Sequence, residues 1–369
     1  MTGQRGHGMT NCRAMLRANS LRWTIHPISR FDHVSTQWDS LASDAGAAPF
    51  MHSMFIRHAI EQFGRGNERL AICGSESAPI AMTIVASTRP GVWETFQPSQ
   101  LPLGAWLMQP DLDYEDCGRR LLRALPGWAQ LLAITQQDPA TYRRPEHSAV
   151  LRTLDYMKTG WIALEGDFAT YWKQRGKGLR QNMRTQRSRL LRDGISTRLD
   201  IVTSPADAEA TIQAFSKMES SGWKGREGTA VRIGTPQGQF YLDVLSDYCA
   251  AGRARLCVYR LNERPAAIDL HIEHGDTIVL LKTAYDESVQ GISPSSMLRE
   301  EFLISLFAEG RIKRLEFFGP AMDWTYKWTD RIRTLFHVNV YRSAIVRWLH
   351  QTVQRRSLRA SEAGAHSAS

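Results

Sequence analysis

Residues 254–285 contain three strand-like segments separated by two short polar turns. The segments are Ala254–Leu261, Pro265–Glu273 and Thr277–Tyr285, and the turns are Asn262–Arg264 and His274–Asp276. Turns this short join neighbouring antiparallel strands. Three consecutive strands of one sheet are therefore the strongest constraint that the sequence sets on the fold.

The elements predicted around these strands follow an order that the first half of the chain repeats less regularly. A strand at Ser196–Val202 and helices at Pro205–Ser221 and Gln237–Ala251 precede the three strands, and a helix at Ser295–Ala308 and a strand at Arg314–Phe318 follow them. The first half has a strand at Trp23–Ile28, helices at Phe31–Ala45 and Met51–Phe63, and a hairpin from Arg69 to Ala86. The repeated order predicts two related α+β domains.

We expect these domains at residues 21–160 and 161–350, with disordered ends at 1–20 and 355–369, where the chain is polar and rich in small residues. The longest apolar runs are strand-sized, so no transmembrane segment is expected. The five cysteines are widely spaced and form no CxxC pair, and no set of residues has metal-ligand spacing. These features predict a cytoplasmic protein with reduced cysteines and no metal.

A basic helix is predicted from Phe168 to Asp193. Eight cationic residues fall in 173–192, and Arg180, Arg184 and Arg187 lie at i, i+4 and i+7 on one face. Like charges at this spacing destabilise a helix, so the stripe predicts an anionic neighbour, with a solvated helix face as the alternative. A cofactor phosphate, a nucleotide-linked sugar, a membrane surface and tRNA all fit, and the net charge of +9 agrees with each. No RNA-binding motif is present, which disfavours nucleic acid while leaving tRNA open. A basic terminal helix at 341–356 is predicted to cap the core, with membrane-surface binding as its alternative.

Several local patterns occur in a recognisable order in the second half. They are Gly178-Leu-Arg-Gln-Asn-Met-Arg184, Met218-Glu-Ser-Ser-Gly-Trp-Lys-Gly225, Pro265-Ala-Ala-Ile-Asp269, Lys282-Thr-Ala-Tyr-Asp-Glu287, Ser293-Pro-Ser-Ser296 and Trp324-Thr-Tyr-Lys327. In this order the second half resembles the GNAT-type acetyltransferase domain associated with bacterial cellulose and exopolysaccharide biosynthesis. That group is related to the Fem-type peptidyltransferases. The resemblance implies tandem GNAT folds with mixed, mostly antiparallel sheets flanked by helices.

The resemblance also implies acetyl-CoA, or another acyl-CoA, as co-substrate. Its pyrophosphate would lie at the start of the helix that follows Thr277–Tyr285, where backbone N–H groups and the helix dipole favour an anion. The predicted donors are the N–H groups of Gly291, Ile292, Ser295, Ser296 and Met297. Members of the family usually carry glycine at the position of Ser295, whose side chain would crowd the pyrophosphate.

Three polar clusters are candidates for the transfer chemistry. Strand alternation puts Asp269 and His271 on one face, with Lys282 on the next strand facing them. Glu219, Trp223 and Lys224 lie at a helix end that leads into a Gly-rich loop. Asp323, Tyr326 and Lys327 follow the last core strand, where the phenol would be the general acid. We assign catalytic roles to Glu219, Asp269 and Tyr326, and substrate binding to the others. A structural ion pair, a solvated helix end and a packing aromatic are the respective alternatives.

The leading hypothesis is an acyl-CoA-dependent N-acyltransferase, with acetyl as the favoured acyl group, that acts on an amine of a sugar or peptide-like precursor. Polysaccharide or cell-envelope biosynthesis is the context that the resemblance implies. A Fem-like transferase that uses aminoacyl-tRNA is one alternative. A GNAT-fold binding or scaffold protein without catalysis is another, because one fold hosts many functions.

Overall fold

The computed structural model describes residues 22–353, apart from the side chains of Trp223 and Lys224. The expected disordered ends at 1–20 and 355–369 lie outside these residues. Within them, the chain forms two compact units that do not follow chain order. The first unit contains 22–47, 64–156 and 335–353, and the second contains 48–63 and 157–334. The sequence-based boundaries put 48–63 in the first half and 335–350 in the second, and the packing of the chain groups each with the other unit.

The described part of the chain contains strands and helices in alternating blocks. The strands are β1 (Trp23–Pro27), β2 (Glu68–Ser75), β3 (Ala78–Arg89), β4 (Val92–Thr95), β5 (Trp106–Met108), β6 (Leu131–Gln137), β7 (Leu151–Ala163), β8 (Thr197–Val202), β9 (Ala254–Leu261), β10 (Arg264–His274), β11 (Thr277–Tyr285), β12 (Arg314–Glu316) and β13 (Ile332–Tyr341). The α-helices are α1 (Ser35–Asp44), α2 (Ser53–Phe63), α3 (Tyr114–Ala124), α4 (Phe168–Gln174), α5 (Lys177–Arg192), α6 (Pro205–Ser221), α7 (Trp223–Arg226), α8 (Pro236–Ala250), α9 (Pro294–Glu309) and α10 (Asp323–Trp328). Shorter 3-10 helices cover Ile28–Val34, Pro49–Met51 and Glu287–Ile292.

Each unit is built on one mixed sheet. The strand order is β1-β2-β3-β4-β6-β13 in the first unit, with β5 paired to β3, and β8-β9-β10-β11-β12-β7 in the second. Both sheets are antiparallel except for one parallel contact, β4 with β6 and β11 with β12, and each of these extends over three residue pairs. The two units therefore share one strand arrangement, as the repeated order of elements predicts.

Helices cover both faces of the second sheet. The apolar side chains of α4, α5 and α9 pack with β9, β10 and β11 in one core cluster, which includes Leu179, Met297 and Phe302. On the opposite face, Phe240 of α8 packs against Phe55 of α2. Among the helices within residues 22–353, none has the length and apolar composition of a membrane span.

The basic helix predicted from Phe168 to Asp193 is two helices, so that prediction is wrong in this respect. Arg175 takes an extended conformation and Gly176 is the N-cap of α5. Glycine is a poor helix former, and Arg175 is drawn into the interior, where it donates to the Trp328 carbonyl and lies over the Tyr171 ring. These buried contacts separate α4 from α5.

Candidate functional site

The parallel pairing of β11 with β12 ends early. It runs from the pair Thr277–Arg314 to the pair Val279–Glu316, whereas β11 itself continues to Tyr285. Just beyond the last pair, Leu281 is an extra residue opposite β10, between partners His271 and Leu270. Such a bulge bends the strand that carries it. Within the described residues, the sheet therefore opens on this edge of β11 after Val279.

A short loop joins the open end of β11 to the N-terminus of α9. The Asp286 carboxylate accepts the Ser288 N–H and so caps the 3-10 helix that follows. Ser293 then adopts a left-handed conformation, with φ of 56°, and Pro294 begins α9. Proline at this first position gives up an N–H that would have had no partner in the helix. The loop thus connects the end of β11 that extends beyond β12 to the start of a 16-residue helix.

The five residues predicted to donate N–H groups to a phosphate differ in their hydrogen bonding and exposure. The N–H groups of Ser296 and Met297 both donate to the Ser293 carbonyl, at 2.9 and 3.1 Å. These N–H groups can bind a phosphate only if they give up their bonds to the Ser293 carbonyl. Gly291 is exposed, and a side chain built there would meet no atom within 4 Å. The side chains of Ile292 and Met297 belong to the apolar core.

The Ser295 side chain, which replaces the glycine of the resembled family, is turned into the protein. Its hydroxyl oxygen is enclosed by protein atoms and has no hydrogen-bond partner among the described residues. The oxygen therefore does not project into solvent in front of α9.

The basic helix α5 contacts this loop and α9. Asn182 donates to the Ser293 hydroxyl at 3.2 Å. Arg187 donates to Glu300 at 2.9 Å and to Glu301 at 3.1 Å. Part of the predicted cationic stripe thus has its anionic neighbour within the protein, on α9. Arg184 is exposed, and no ion pair is recorded for it within the described part of the chain.

The segment after α6 also reaches the loop. Arg226 donates to Glu287 at 3.2 Å, and a side chain added at Gly222 would lie 2.8 Å from the same carboxylate. The side chains of Trp223 and Lys224, two predicted substrate-binding residues, lie outside what the structure describes. The segment predicted to grip the acceptor and the loop predicted to hold the cofactor are nevertheless in contact.

Glu219 and Lys282 both lie near Tyr241 of α8, a residue that the sequence did not single out. Burial raises the pKa of the Tyr241 phenol, and the charge of Glu219 raises it further. The Lys282 ammonium is 5.6 Å from the centre of the Tyr241 ring. Glu219 is buried, and its carboxylate accepts the Val231 N–H at 2.7 Å. This carboxylate therefore anchors the loop that follows α7.

Asp269 and His271 both face α9, as strand alternation predicts, but Lys282 does not join them. Lys282 is paired with Leu270 in the sheet and points to the α8 side. Asp269 lies 3.8 Å from Arg299, and the His271 ring packs on Phe302 at 4.6 Å between centroids. The expected grouping of the three polar residues is wrong, because the extra residue Leu281 shifts the register so that Lys282 pairs with Leu270 and projects to the opposite face from Asp269.

Asp269 and His271 are both fully enclosed. Burial raises the pKa of the Asp269 carboxyl, and the neighbouring Arg299 opposes that rise. Burial also lowers the pKa of the His271 imidazole to about 3, so the ring is neutral at physiological pH. Its Nδ1 lies 3.2 Å from the Arg255 carbonyl oxygen, at the distance of a hydrogen bond. Neither side chain is in a position to touch a substrate in this conformation.

The third predicted cluster lies on α10, which follows β12. Asp323, Tyr326 and Lys327 are exposed on its outward face. Trp324 and Trp328, on the inward face, cover the Arg299 guanidinium, with ring centres 4.4 and 5.7 Å from its central carbon. The sequence did not point to Arg299. An arginine within the apolar run of α9 was the feature that could have indicated it.

Within residues 22–353, no group of three or more His, Cys, Asp or Glu side chains is placed to hold a metal ion. The polar groups around the open edge of β11 are instead an ammonium, carboxylates, phenols and backbone amides. Such groups suit acyl or proton transfer to an organic substrate.

Comparison with known proteins agrees with this geometry. Residues 177–327 match the family model of the acetyltransferase (GNAT) domain. No curated protein sequence matches the chain. Three solved structures share its fold over most of their length. They are a conserved protein of unknown function from Bacteroides thetaiotaomicron VPI-5482 (TM-score 0.52, 9% identity, 87% of this chain and 99% of that one), FemX (0.52, 10%, 86% and 98%) and the C-terminal domain of a putative lysylphosphatidylglycerol synthetase from Agrobacterium fabrum (0.50, 14%, 83% and 94%). The predicted α+β fold of the tandem GNAT type is confirmed.

Proposed function

We propose that the protein is an acyl-CoA-dependent N-acyltransferase whose acyl donor binds where β11 leaves β12. The observation that carries the proposal is the end of the parallel pairing at Val279, after which β11 runs on to Tyr285 without β12 and the loop leads to the N-terminus of α9. The thioester arm of the donor would lie in the gap between β11 and β12. The start of α9 would attract the pyrophosphate through the helix dipole, and the N–H groups of Ser296 and Met297 would exchange their bonds to the Ser293 carbonyl for bonds to phosphate oxygens. Gly291 leaves open space in front of that loop.

The acceptor amine would approach on the α8 side of β11. Lys282 and Tyr241 face that side, and the segment after α6 covers the loop through Arg226 and Glu287. In the reaction, the amine nitrogen bonds to the thioester carbonyl carbon and the C–S bond breaks. One proton leaves the nitrogen and one arrives at the sulfur, so the products are an amide and a free thiol. A cation near the carbonyl oxygen stabilises the negative charge that develops there, and we assign this role to Lys282.

Tyr326 is the proposed proton donor to the leaving thiolate. Its phenol is exposed on α10, the element that follows the diverging strand β12. Glu219 and Asp269, assigned catalytic roles from the sequence, are better suited to positioning. The first anchors Val231, and the second holds Arg299 of α9. The resemblance to exopolysaccharide-associated relatives makes an amino sugar the first acceptor to test.

The proposal is tested by thiol release from acetyl-CoA in the presence of amine acceptors. The expected result is release that depends on an amino sugar or a peptide-like amine and yields the matching amide by mass spectrometry. Longer acyl-CoAs in the same assay would define the donor. A folded protein that releases no thiol with any acceptor, and binds no acyl-CoA, would overturn the proposal in favour of a binding protein without catalysis.

A second candidate is a transferase that takes an aminoacyl group from charged tRNA. The exposed cations Lys173, Lys177 and Arg184 on α4 and α5 favour it, because they remain available to an external phosphate backbone. Transfer that requires charged tRNA, and that proceeds without acyl-CoA, would support this candidate over the first.

A further inference from the structure

The helix over 344–353 presents its apolar side chains to solvent. Ile345, Trp348, Leu349 and Val353 are 70%, 64%, 51% and 62% exposed. Trp348, Leu349 and Val353 follow Ile345 by three, four and eight residues, and this spacing places all four on one helix face. A helix that caps a core buries such a face. The expectation of a core-capping helix is therefore wrong.

The opposite, more polar face holds this helix on its own unit. The Tyr341 hydroxyl lies 3.1 Å from Nδ1 of His350, and the Arg347 guanidinium donates to the Ser148 carbonyl. Both contacts are made to residues of the first unit. The helix is thus attached through hydrogen bonds, with its apolar face turned outward.

A second exposed tryptophan lies beside the start of the helix. Arg342 donates its backbone N–H to the Gln130 carbonyl at 2.8 Å and its guanidinium to the Ala129 carbonyl at 3.2 Å. The residue before Ala129 is Trp128, which is 75% exposed and held in a left-handed conformation with φ of 51°. The turn therefore presents this indole to solvent next to the apolar helix.

Cations accompany the apolar face. Arg342 is exposed. Arg89 and Arg152 lie near His350 of the helix, and their charges lower the pKa of its imidazole in addition to the effect of burial. The sequence continues after the helix with Arg355 and Arg356. An apolar strip with tryptophan and neighbouring arginines is the composition of helices that lie in the plane of a membrane interface.

We propose that the face formed by Trp128, Ile345, Trp348, Leu349 and Val353 docks on the surface of an anionic lipid bilayer. The apolar side chains would enter the boundary between headgroups and acyl chains, and the arginines would pair with lipid phosphates. Charge favours this occupant over a second copy of the chain, because a symmetric contact would bring the same arginines together. The proposal is independent of the acyl-transfer function.

The test is vesicle co-sedimentation of the full chain with phosphatidylcholine vesicles, with and without phosphatidylglycerol. The expected result is binding that requires phosphatidylglycerol and weakens as salt is raised, since screening reduces surface electrostatics. The double variant Ile345→Asp/Trp348→Asp should lower the partition coefficient at least about tenfold. Both side chains are exposed, so the unfolding midpoint should not change.

Leu191→Asp is the matched control. Leu191 is 83% exposed on α5 and, like the proposed face, has arginines close to it in the chain, at 189 and 192, whereas its neighbour Leu190 is buried. This variant should bind vesicles as the wild type does. Equal binding by the Ile345→Asp/Trp348→Asp variant and the wild type would overturn the proposal, as would failure of the wild type to bind anionic vesicles. A lipid-free dimer that this double variant dissociates, seen by analytical ultracentrifugation, would show that the face belongs to a second copy instead.

Discussion

Arg299 of α9 and Asp269 of β10 face each other in the interior of the second unit, with Nη2 and Oδ2 3.8 Å apart. Trp324 and Trp328 of α10 cover the guanidinium from the other side. One buried cation therefore connects the sheet, the helix that begins at the proposed phosphate loop, and the short helix that carries Tyr326. Its role is to position these elements, because neither charged group reaches solvent.

Arg299→Met should lower the free energy of unfolding by about 3–5 kcal/mol, since it leaves the Asp269 carboxylate buried without its partner. The double variant Arg299→Met/Asp269→Leu should recover most of that loss, because it removes both charges. Urea unfolding of the three proteins measures the effect, and Arg192→Met, at an exposed arginine, is the control. A double variant as unstable as the single one would contradict a paired role.

Protonation of His271 should make the protein less stable below neutral pH. The pKa of its ring is about 3 in the folded protein, below the value of about 6.5 in an unfolded chain. The unfolded state therefore binds more protons between these values, and stability falls as pH falls through 6.5. Between pH 7.5 and 5.5 this one group accounts for a loss of about 1.4 kcal/mol.

The His271→Asn variant isolates that contribution, because asparagine does not titrate. Its unfolding free energy should fall by about 1.4 kcal/mol less than that of the wild type over the same pH interval. The comparison is needed because burial also lowers the pKa values of His337 and His350. Equal pH dependence in the two proteins would contradict a buried, neutral His271.

Lys282→Met should lower kcat for acyl transfer at least about tenfold while acyl-CoA binding is retained, because the ammonium is needed only as charge develops on the carbonyl oxygen. Lys217→Met is the control, since that residue is an exposed lysine on α6. Steady-state kinetics and calorimetry separate the two effects. Loss of acyl-CoA binding with unchanged kcat would instead assign Lys282 to donor binding.

Tyr326→Phe should lower kcat, because the thiolate of coenzyme A leaves faster when a proton donor neutralises it as the C–S bond breaks. Tyr156→Phe is a matched control, as the two tyrosines are 48% and 47% exposed. A pH profile of kcat for both variants is the measurement. Activity equal to that of the control variant would remove Tyr326 from the mechanism.

The sequence predicts elements whose pattern is local. The three strands from Ala254 to Tyr285 are joined by short polar turns, and the structure contains all three. β7 is not predicted, because its polar and apolar residues do not alternate regularly and it contains Gly160. A side chain at Gly160 would lie 2.7 Å from Thr325, so this glycine is required by packing that is distant in sequence.

The candidate site is predictable only in outline. The resemblance locates the loop before α9, and the loop is where it was expected. Which polar residues meet depends on a one-residue bulge at Leu281, which no composition rule indicates. The bulge places Lys282 beside Tyr241 rather than Asp269. Likewise, the partner of Arg187 is on α9, more than a hundred residues away in the chain.

Calorimetric titration with acetyl-CoA tests the central claim most directly, with Gly291→Glu as the variant. The added carboxylate has room at this position and would repel a pyrophosphate at the start of α9. Ala206→Glu is the control, because it adds the same charge to the first turn of α6, where Ala206 is exposed. We predict that the wild type and Ala206→Glu bind alike and that Gly291→Glu binds at least about tenfold more weakly. Absence of binding by the folded wild type, or equal weakening by both substitutions, would contradict the account.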